Sequence, residues 1–269
     1  MSRIGGAMAD LRAEGRIGLI AYLTVGYPDV ESTLRLVPAL AAGGADMVEL
    51  GVPFSDPLAD GATIQRASHQ ALGQGVTVAV CLDAVKRLRQ GGLTIPLLLM
   101  GYYNPVLAYG VEAFARDAAG AGADGLIAVD LPPEEAQPMQ IACAGHGLDL
   151  IYLLAPTSSE QRIALVAAQA SGFLYCVSVA GVTGVRRDLS PELAKFLARV
   201  RHHSSLPLAV GFGISRAEHV QAVAGLGADA AVIGSAIIDL IDHTSAGERE
   251  RKVSEYLESL GGRGRPRAN

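Results

Sequence analysis

Apolar residues along this chain gather into eight short runs, at residues 17–24, 47–52, 95–101, 125–129, 148–154, 173–179, 208–212 and 230–234. Most of the runs are continuous rather than alternating, the pattern of parallel strands covered on both faces. Longer segments lie between them, among them 31–42, 111–120, 134–146 and 159–171, where Ala, Leu, Val and Arg recur at helical spacing. Alternation of strand and helix dictates a parallel sheet, and eight such units point to a closed barrel rather than an open doubly wound sheet. The predicted architecture is a single-domain (β/α)8 barrel over residues 1–269, with an extra N-terminal helix within 1–16 and a flexible tail at 261–269. Its length suits that fold, since such barrels run to about 250 residues as one unit.

A weak repeat supports the barrel. Gly-Ala-Asp precedes an apolar run at Gly44-Ala45-Asp46, Gly122-Ala123-Asp124 and Gly227-Ala228-Asp229, with Gly147-Leu148-Asp149 as a variant. The glycine can end a helix in the left-handed conformation before the chain turns into the next strand. These aspartates therefore belong to the N-terminal face of the barrel, where turn and stability roles are expected rather than catalysis. Two segments, 53–61 and 180–190, are too long or irregular for plain strand-to-helix turns. Both leave the C-terminal ends of strands, where barrel chemistry is placed, and long loops in compact domains usually carry function.

Composition narrows the function classes. Half the residues are hydrophobic and 18% are charged, enough for a buried core and unlike a disordered chain. A net charge of −5 without basic clusters argues against nucleic acid as a partner. No apolar run approaches the roughly 20 residues needed to cross a bilayer. Residues 1–16 carry charges throughout and lack the apolar stretch of a signal peptide. The three cysteines, Cys81, Cys143 and Cys176, lack zinc-site spacing and suit a reducing compartment, so a cytoplasmic location is expected. The histidines show no ligand spacing either, and no metal site is assigned.

Glu49 is the first candidate for chemistry. It interrupts the apolar run Met47-Val48-Glu49-Leu50, and a strand covered on both faces has no inexpensive place for a charge. A carboxyl there either faces the barrel mouth or is hydrogen-bonded among neighbouring strands. If desolvated, its pKa rises toward neutrality, which fits it to give and take protons. Asp60 ends a loop stiffened by Pro53 and Pro57 and precedes a helix start at residues 61–65. Helix capping and catalysis are equal readings of it.

Late in the chain, Gly211-Phe212-Gly213-Ile214-Ser215 closes the seventh run, and Gly234-Ser235-Ala236-Ile237 closes the eighth and opens a short helix. Glycines let backbone N–H groups approach an anion, and a helix N-terminus favours negative charge. Their joint placement after the last two strands is that of a barrel phosphate site. The loop Gly181-Val182-Thr183-Gly184 could add a backbone contact or a lid, or be only a turn. Tyr175 could orient a ligand through its hydroxyl or belong to the core.

Assembled, these residues closely resemble the tryptophan synthase alpha subunit family. The likeness is carried by residues 49–61 (ELGVPFSDPLADG), Tyr102-Tyr103-Asn104-Pro105, residues 179–184 (VAGVTG), 211–215 (GFGIS) and Gly234-Ser235-Ala236, in order and at family spacing. It implies retro-aldol cleavage of indole-3-glycerol phosphate to indole and glyceraldehyde 3-phosphate. By the resemblance, Glu49 moves the protons and Asp60 holds the indole N–H. Gly184, Gly213, Gly234 and Ser235 bind the phosphate; Tyr22, Met100, Ile127, Tyr175 and Phe212 line the ring pocket; Thr183 belongs to a lid. It further implies a beta subunit carrying pyridoxal phosphate in an alpha2beta2 assembly, contacted through Pro53, Asp56 and Asn104. No cofactor is expected in this chain. Ala62 departs from a common proline, and Val179 and Ala180 from more polar or bulkier residues. A stand-alone lyase releasing free indole would use the same groups, whereas a non-catalytic activating subunit would need neither carboxylate.

Overall fold

The computed structural model describes residues 2–178, 191–211 and 213–261. The sixth-strand loop, with Val179, Ala180, Thr183 and Gly184, lies outside the described residues, as do Phe212 and the tail at 262–269.

Eight parallel strands close in sequence order into one barrel. They are β1 (Gly18–Thr24), β2 (Met47–Gly51), β3 (Leu97–Gly101), β4 (Gly125–Ala128), β5 (Asp149–Leu154), β6 (Leu174–Val177), β7 (Leu208–Gly211) and β8 (Ala230–Ile233). The helices, in chain order, begin with α1 (Arg3–Ala13), α2 (Val30–Ala42), α3 (Ala62–Gly73), α4 (Val78–Gln90), α5 (Tyr103–Tyr109) and α6 (Val111–Ala121). They continue with α7 (Gln137–His146), α8 (Glu160–Gln169), α9 (Pro191–His203), α10 (Ala217–Gly225), α11 (Ser235–Asp242) and α12 (Arg249–Leu260). The (β/α)8 expectation holds, and every expected strand is present within a residue or two of its apolar run. Helix α7 starts later than its pattern suggested because Pro132 and Pro133 hold the preceding residues in turns and Pro138 sits in its first turn.

Two apolar cores result. One lies between the sheet and the helices and includes Val48, Leu50, Leu97 and Leu99; the other fills the barrel interior with Met47, Leu98, Ile127, Ile151 and Phe173. Continuous apolar runs arise because each strand feeds both. Helix α1 closes the N-terminal end by sending Ile4, Met8 and Leu11 into the interior core. Gly18 and Gly125 make room for it, since a Cβ there would come within 2.6 Å of Leu11 and 3.0 Å of Ile4.

The aspartate repeat is structural. Asp46, Asp124 and Asp229 each accept a hydrogen bond from the amide of a residue on the preceding strand, Leu19, Leu97 and Leu208, at 2.8, 2.7 and 2.9 Å. Each returns its own amide to the carbonyl of that same residue. Arg16, Arg89 and Arg201 neutralise the three carboxylates. The glycines before them, Gly44, Gly122 and Gly227, have φ of 103°, 97° and 87°, the left-handed geometry their position requires. The fourth member is Ser171, whose hydroxyl accepts from the Leu150 amide at 3.0 Å. Asp149, the fourth by sequence pattern, instead begins β5 and takes a hydrogen bond from Ser2 at 2.5 Å, anchoring the cap of α1. The even-numbered strands are thus fastened alike, leaving the opposite face free for chemistry.

Candidate active site

Glu49 is the third residue of β2, a strand buried throughout. Val48 and Leu50 pack toward the helices and Met47 toward the interior, so alternation turns the Glu49 side chain into the barrel. It is 0% exposed, and neither carboxyl oxygen has a hydrogen-bond partner among the described residues. Withdrawal of water from the charged form, with nothing replacing it, pushes its pKa from 4.5 up to about 8. A group so tuned is neutral at pH 7 and can change state within the working range of an enzyme.

Asp60 reaches the same cavity from the loop after β2. Of its two sequence readings, capping fails: the N-cap of α3 is Gly61, and no side chain caps that helix. The helix nevertheless begins at Ala62. The Asp60 carboxylate accepts a hydrogen bond from the Tyr102 hydroxyl at 3.1 Å, and the same hydroxyl accepts from the Ala59 amide at 2.8 Å. Tyr102 stacks in turn on Phe54, ring centroids 5.1 Å apart. Partial burial raises the Asp60 pKa and the Tyr102 hydrogen bond opposes the rise. Tyr102 follows β3 directly, so its position at a strand end was the signal available for it in the sequence.

The two carboxyls share a cavity enclosing about 620 Å³ of atom-free space, counting its open mouth. Tyr22, Met100, Tyr175 and Val232 form its strand walls, with Gly61 and Ile64 on the α3 side. Both tyrosines lie across strand backbones: a Cβ on Gly51 would collide with the Tyr22 hydroxyl, and one on Gly211 with that of Tyr175. Gly213, Ile214, Gly234 and Ser235 complete the lining. Gly213 has a φ of 79°, open to glycine and strained for other residues. Ser235 is the first residue of α11, so unpaired amides and the positive end of the helix dipole face the cavity.

Of the residues expected at the site, Tyr22, Glu49, Asp60, Met100, Tyr175, Gly213, Gly234 and Ser235 come together around this cavity. Ile127 does not line it; it is wholly buried in the interior core, in register with Met100. Ile64, Ile214, Val232 and Tyr102 enter the site unforeseen. Among the expected partner contacts, Asp56 and Asn104 are exposed, whereas Pro53 is buried. Leu58 is 91% exposed and Leu107 52%, a pair of large apolar side chains standing in water on the loop after β2 and on α5.

A barrel whose C-terminal mouth joins a buried carboxyl without a partner among the described residues, a second carboxylate and a glycine-flanked helix N-terminus has the construction of the (β/α)8 enzymes that act on small phosphorylated ligands. Comparison with known proteins narrows the class. The sequence pattern of the tryptophan synthase alpha chain matches residues 8–262. The tryptophan synthase alpha chain of Roseiflexus sp. (strain RS-1) is 55% identical over 97% of this chain and 100% of its own length. That of Geobacter sulfurreducens is 48% identical over 97% of this chain and 98% of its own. Among solved structures, tryptophan synthase subunit alpha from Legionella pneumophila superposes with a TM-score of 0.89 at 39% identity, covering 97% of both chains. A chain of the M. tuberculosis tryptophan synthase gives 0.87 at 38% identity, covering 97% of this chain and 99% of that one. The chain belongs to the tryptophan synthase alpha chain family.

Proposed function

We propose that this protein is a carbon–carbon lyase of tryptophan biosynthesis, cleaving indole-3-glycerol phosphate to indole and D-glyceraldehyde 3-phosphate. The observation that carries the reading is the Glu49 carboxyl, dry, without a hydrogen-bond partner among the described residues and raised to about 8, in a cavity also lined by Gly213, Gly234 and Ser235, whose amides suit a phosphate. The phosphate sits at Gly213, Gly234 and Ser235, and the ring lies against Ile64, Met100 and Tyr175. Anchoring at the remote phosphate fixes the reacting carbon and converts binding into orientation.

Glu49 enters neutral and gives its proton to indole C3, leaving positive charge on the ring nitrogen. Asp60, ionised and steadied by Tyr102, accepts the ring N–H and stabilises that charge. The Glu49 carboxylate so formed takes the proton of the side-chain hydroxyl on the carbon next to C3. The O–H electrons form the aldehyde C=O as the carbon–carbon bond breaks, and the bond pair returns to the ring. Glu49 ends protonated as it began, which balances the cycle. Two carboxyls in one cavity take different roles because one is dry and unpaired and the other hydrogen-bonded.

The reaction needs no cofactor in this chain. A beta subunit carrying pyridoxal phosphate receives the indole in an alpha2beta2 assembly, and Leu58 and Leu107 with Asp56 and Asn104 offer it an exposed, partly apolar surface beside the mouth. A cytoplasmic setting agrees with three buried, unpaired cysteines. Indole release from indole-3-glycerol phosphate, assayed with and without a beta subunit, tests the reading. Release that rises on adding the partner is expected, and no release under either condition refutes it. Full turnover by the isolated chain, indifferent to the partner, would favour the stand-alone lyase.

A further inference from the structure

Tyr22 runs along the cavity from one functional end to the other. Its ring root packs beside the phosphate side, where a Cβ on Gly234 would lie 3.4 Å from the Tyr22 Cβ and 3.5 Å from Cδ1. Its hydroxyl lies over Gly51, two residues past Glu49 on the inward face of β2, and Tyr22 and Glu49 are register partners. The hydroxyl shares a hydrogen bond with Thr24 Oγ1 at 3.2 Å. Two hydroxyls carry two hydrogens, and their mutual bond uses one. When Thr24, which is 0% exposed, donates this bond, the Tyr22 hydrogen is left for a ligand in the cavity that Tyr22 lines. Burial, with Asp60 and Glu49 nearby, raises the phenol pKa well above its usual value, so it stays protonated and able to donate.

We propose that the Tyr22 hydroxyl, anchored by Thr24, hydrogen-bonds a hydroxyl on the carbon chain between ring and phosphate, so that the site selects a hydroxylated chain over a deoxygenated one. The assignment rests on the indole-3-glycerol phosphate reading. With phosphate held at Gly234 and Ser235 and the ring carbon at Glu49, Tyr22 spans the interval between them, from its Cβ beside Gly234 to its hydroxyl over Gly51. A site built around a substrate hydroxyl discriminates against the analogue lacking it, because its own polar group is then left unpaired. One neutral hydrogen bond of this kind corresponds to about tenfold in affinity.

The test uses two ligands with the same ring and phosphate: indole-3-glycerol phosphate, and indole-3-propanol phosphate, which has no chain hydroxyls. The protein contains no tryptophan, so the ligand is the sole indole fluorophore and its anisotropy reports binding directly. Dissociation constants are measured in a Glu49→Gln background, to suppress turnover, with and without Tyr22→Phe. About tenfold weaker binding of the glycerol phosphate is expected, with the propanol phosphate unchanged within about twofold, which also shows the variant to be folded. Thr24→Val should weaken the glycerol phosphate in the same direction. Equal loss for both ligands, or loss for neither, overturns the assignment. Failure of the wild-type chain to cleave indole-3-glycerol phosphate would instead remove the underlying reading, and this assignment with it.

Discussion

Replacing Glu49 by Gln keeps the side chain's shape and removes a charge that the barrel interior does not solvate. The effect on stability follows from linkage. Below pH 4.5 the carboxyl is neutral whether the chain is folded or not, and its contribution to stability is fully present. As pH rises, the unfolded chain ionises freely while the folded one holds its proton until about pH 8. Stability therefore falls through this window and levels off above it. A carboxyl moved from 4.5 to about 8 forfeits about 5 kcal/mol across that interval, an upper figure because water enters at the cavity mouth. For a chain of 269 residues this corresponds to at most about 10 °C in Tm. Thermal unfolding by circular dichroism at pH 4.5, 6.5 and 8.5 for both proteins provides the test, because the Tm difference between them cancels every other titrating group. The Gln variant should gain on the wild type as pH rises. A difference constant with pH, or a wild type that gains on the variant, would show that ionised Glu49 is satisfied in the folded state and would refute the reasoning.

Other consequences follow from single contacts. Tyr102→Phe removes the donor that favours ionised Asp60, so the acid limb of the kcat/KM profile should move to higher pH and its maximum fall about tenfold; an unmoved limb contradicts the contact. Gly213→Ala must hold φ at 79°, a strain of about 1–2 kcal/mol, and should raise KM and the inhibition constant of inorganic phosphate while leaving kcat within about twofold. Leu58→Asp should leave the Tm and turnover of the isolated chain unchanged yet weaken association with a beta subunit by more than about tenfold in a titration, since the side chain is 91% exposed and touches no core.

Much of the molecule was legible in the sequence, for reasons that also mark where legibility ended. Strands covered on both faces read as apolar runs, so Glu49 stood out as a charge where none belongs. The same continuity hides which residues face inward. Ile127, carried over by the resemblance, and Val232 both face the interior, yet of the two Val232 is the one that lines the cavity, and nothing in a continuous run tells them apart. Asp60 read equally as cap or catalyst because its partner, Tyr102, is 42 residues away, and nothing local distinguishes Asp60 from the true cap, Gly61. The pairing of Ser171 with Leu150 was invisible to a Gly-Ala-Asp search, since the structure conserves a hydrogen-bond position rather than a residue type.

Proton transfer by one dry carboxyl, Glu49, is the central step. Single-turnover release of indole from bound indole-3-glycerol phosphate, compared between wild type and Glu49→Gln at saturating substrate, tests it most directly. General acid–base chemistry of this kind contributes on the order of 10²–10⁴ in rate. A loss of that size with ligand affinity retained is the predicted result; release by the variant at the wild-type rate would contradict it.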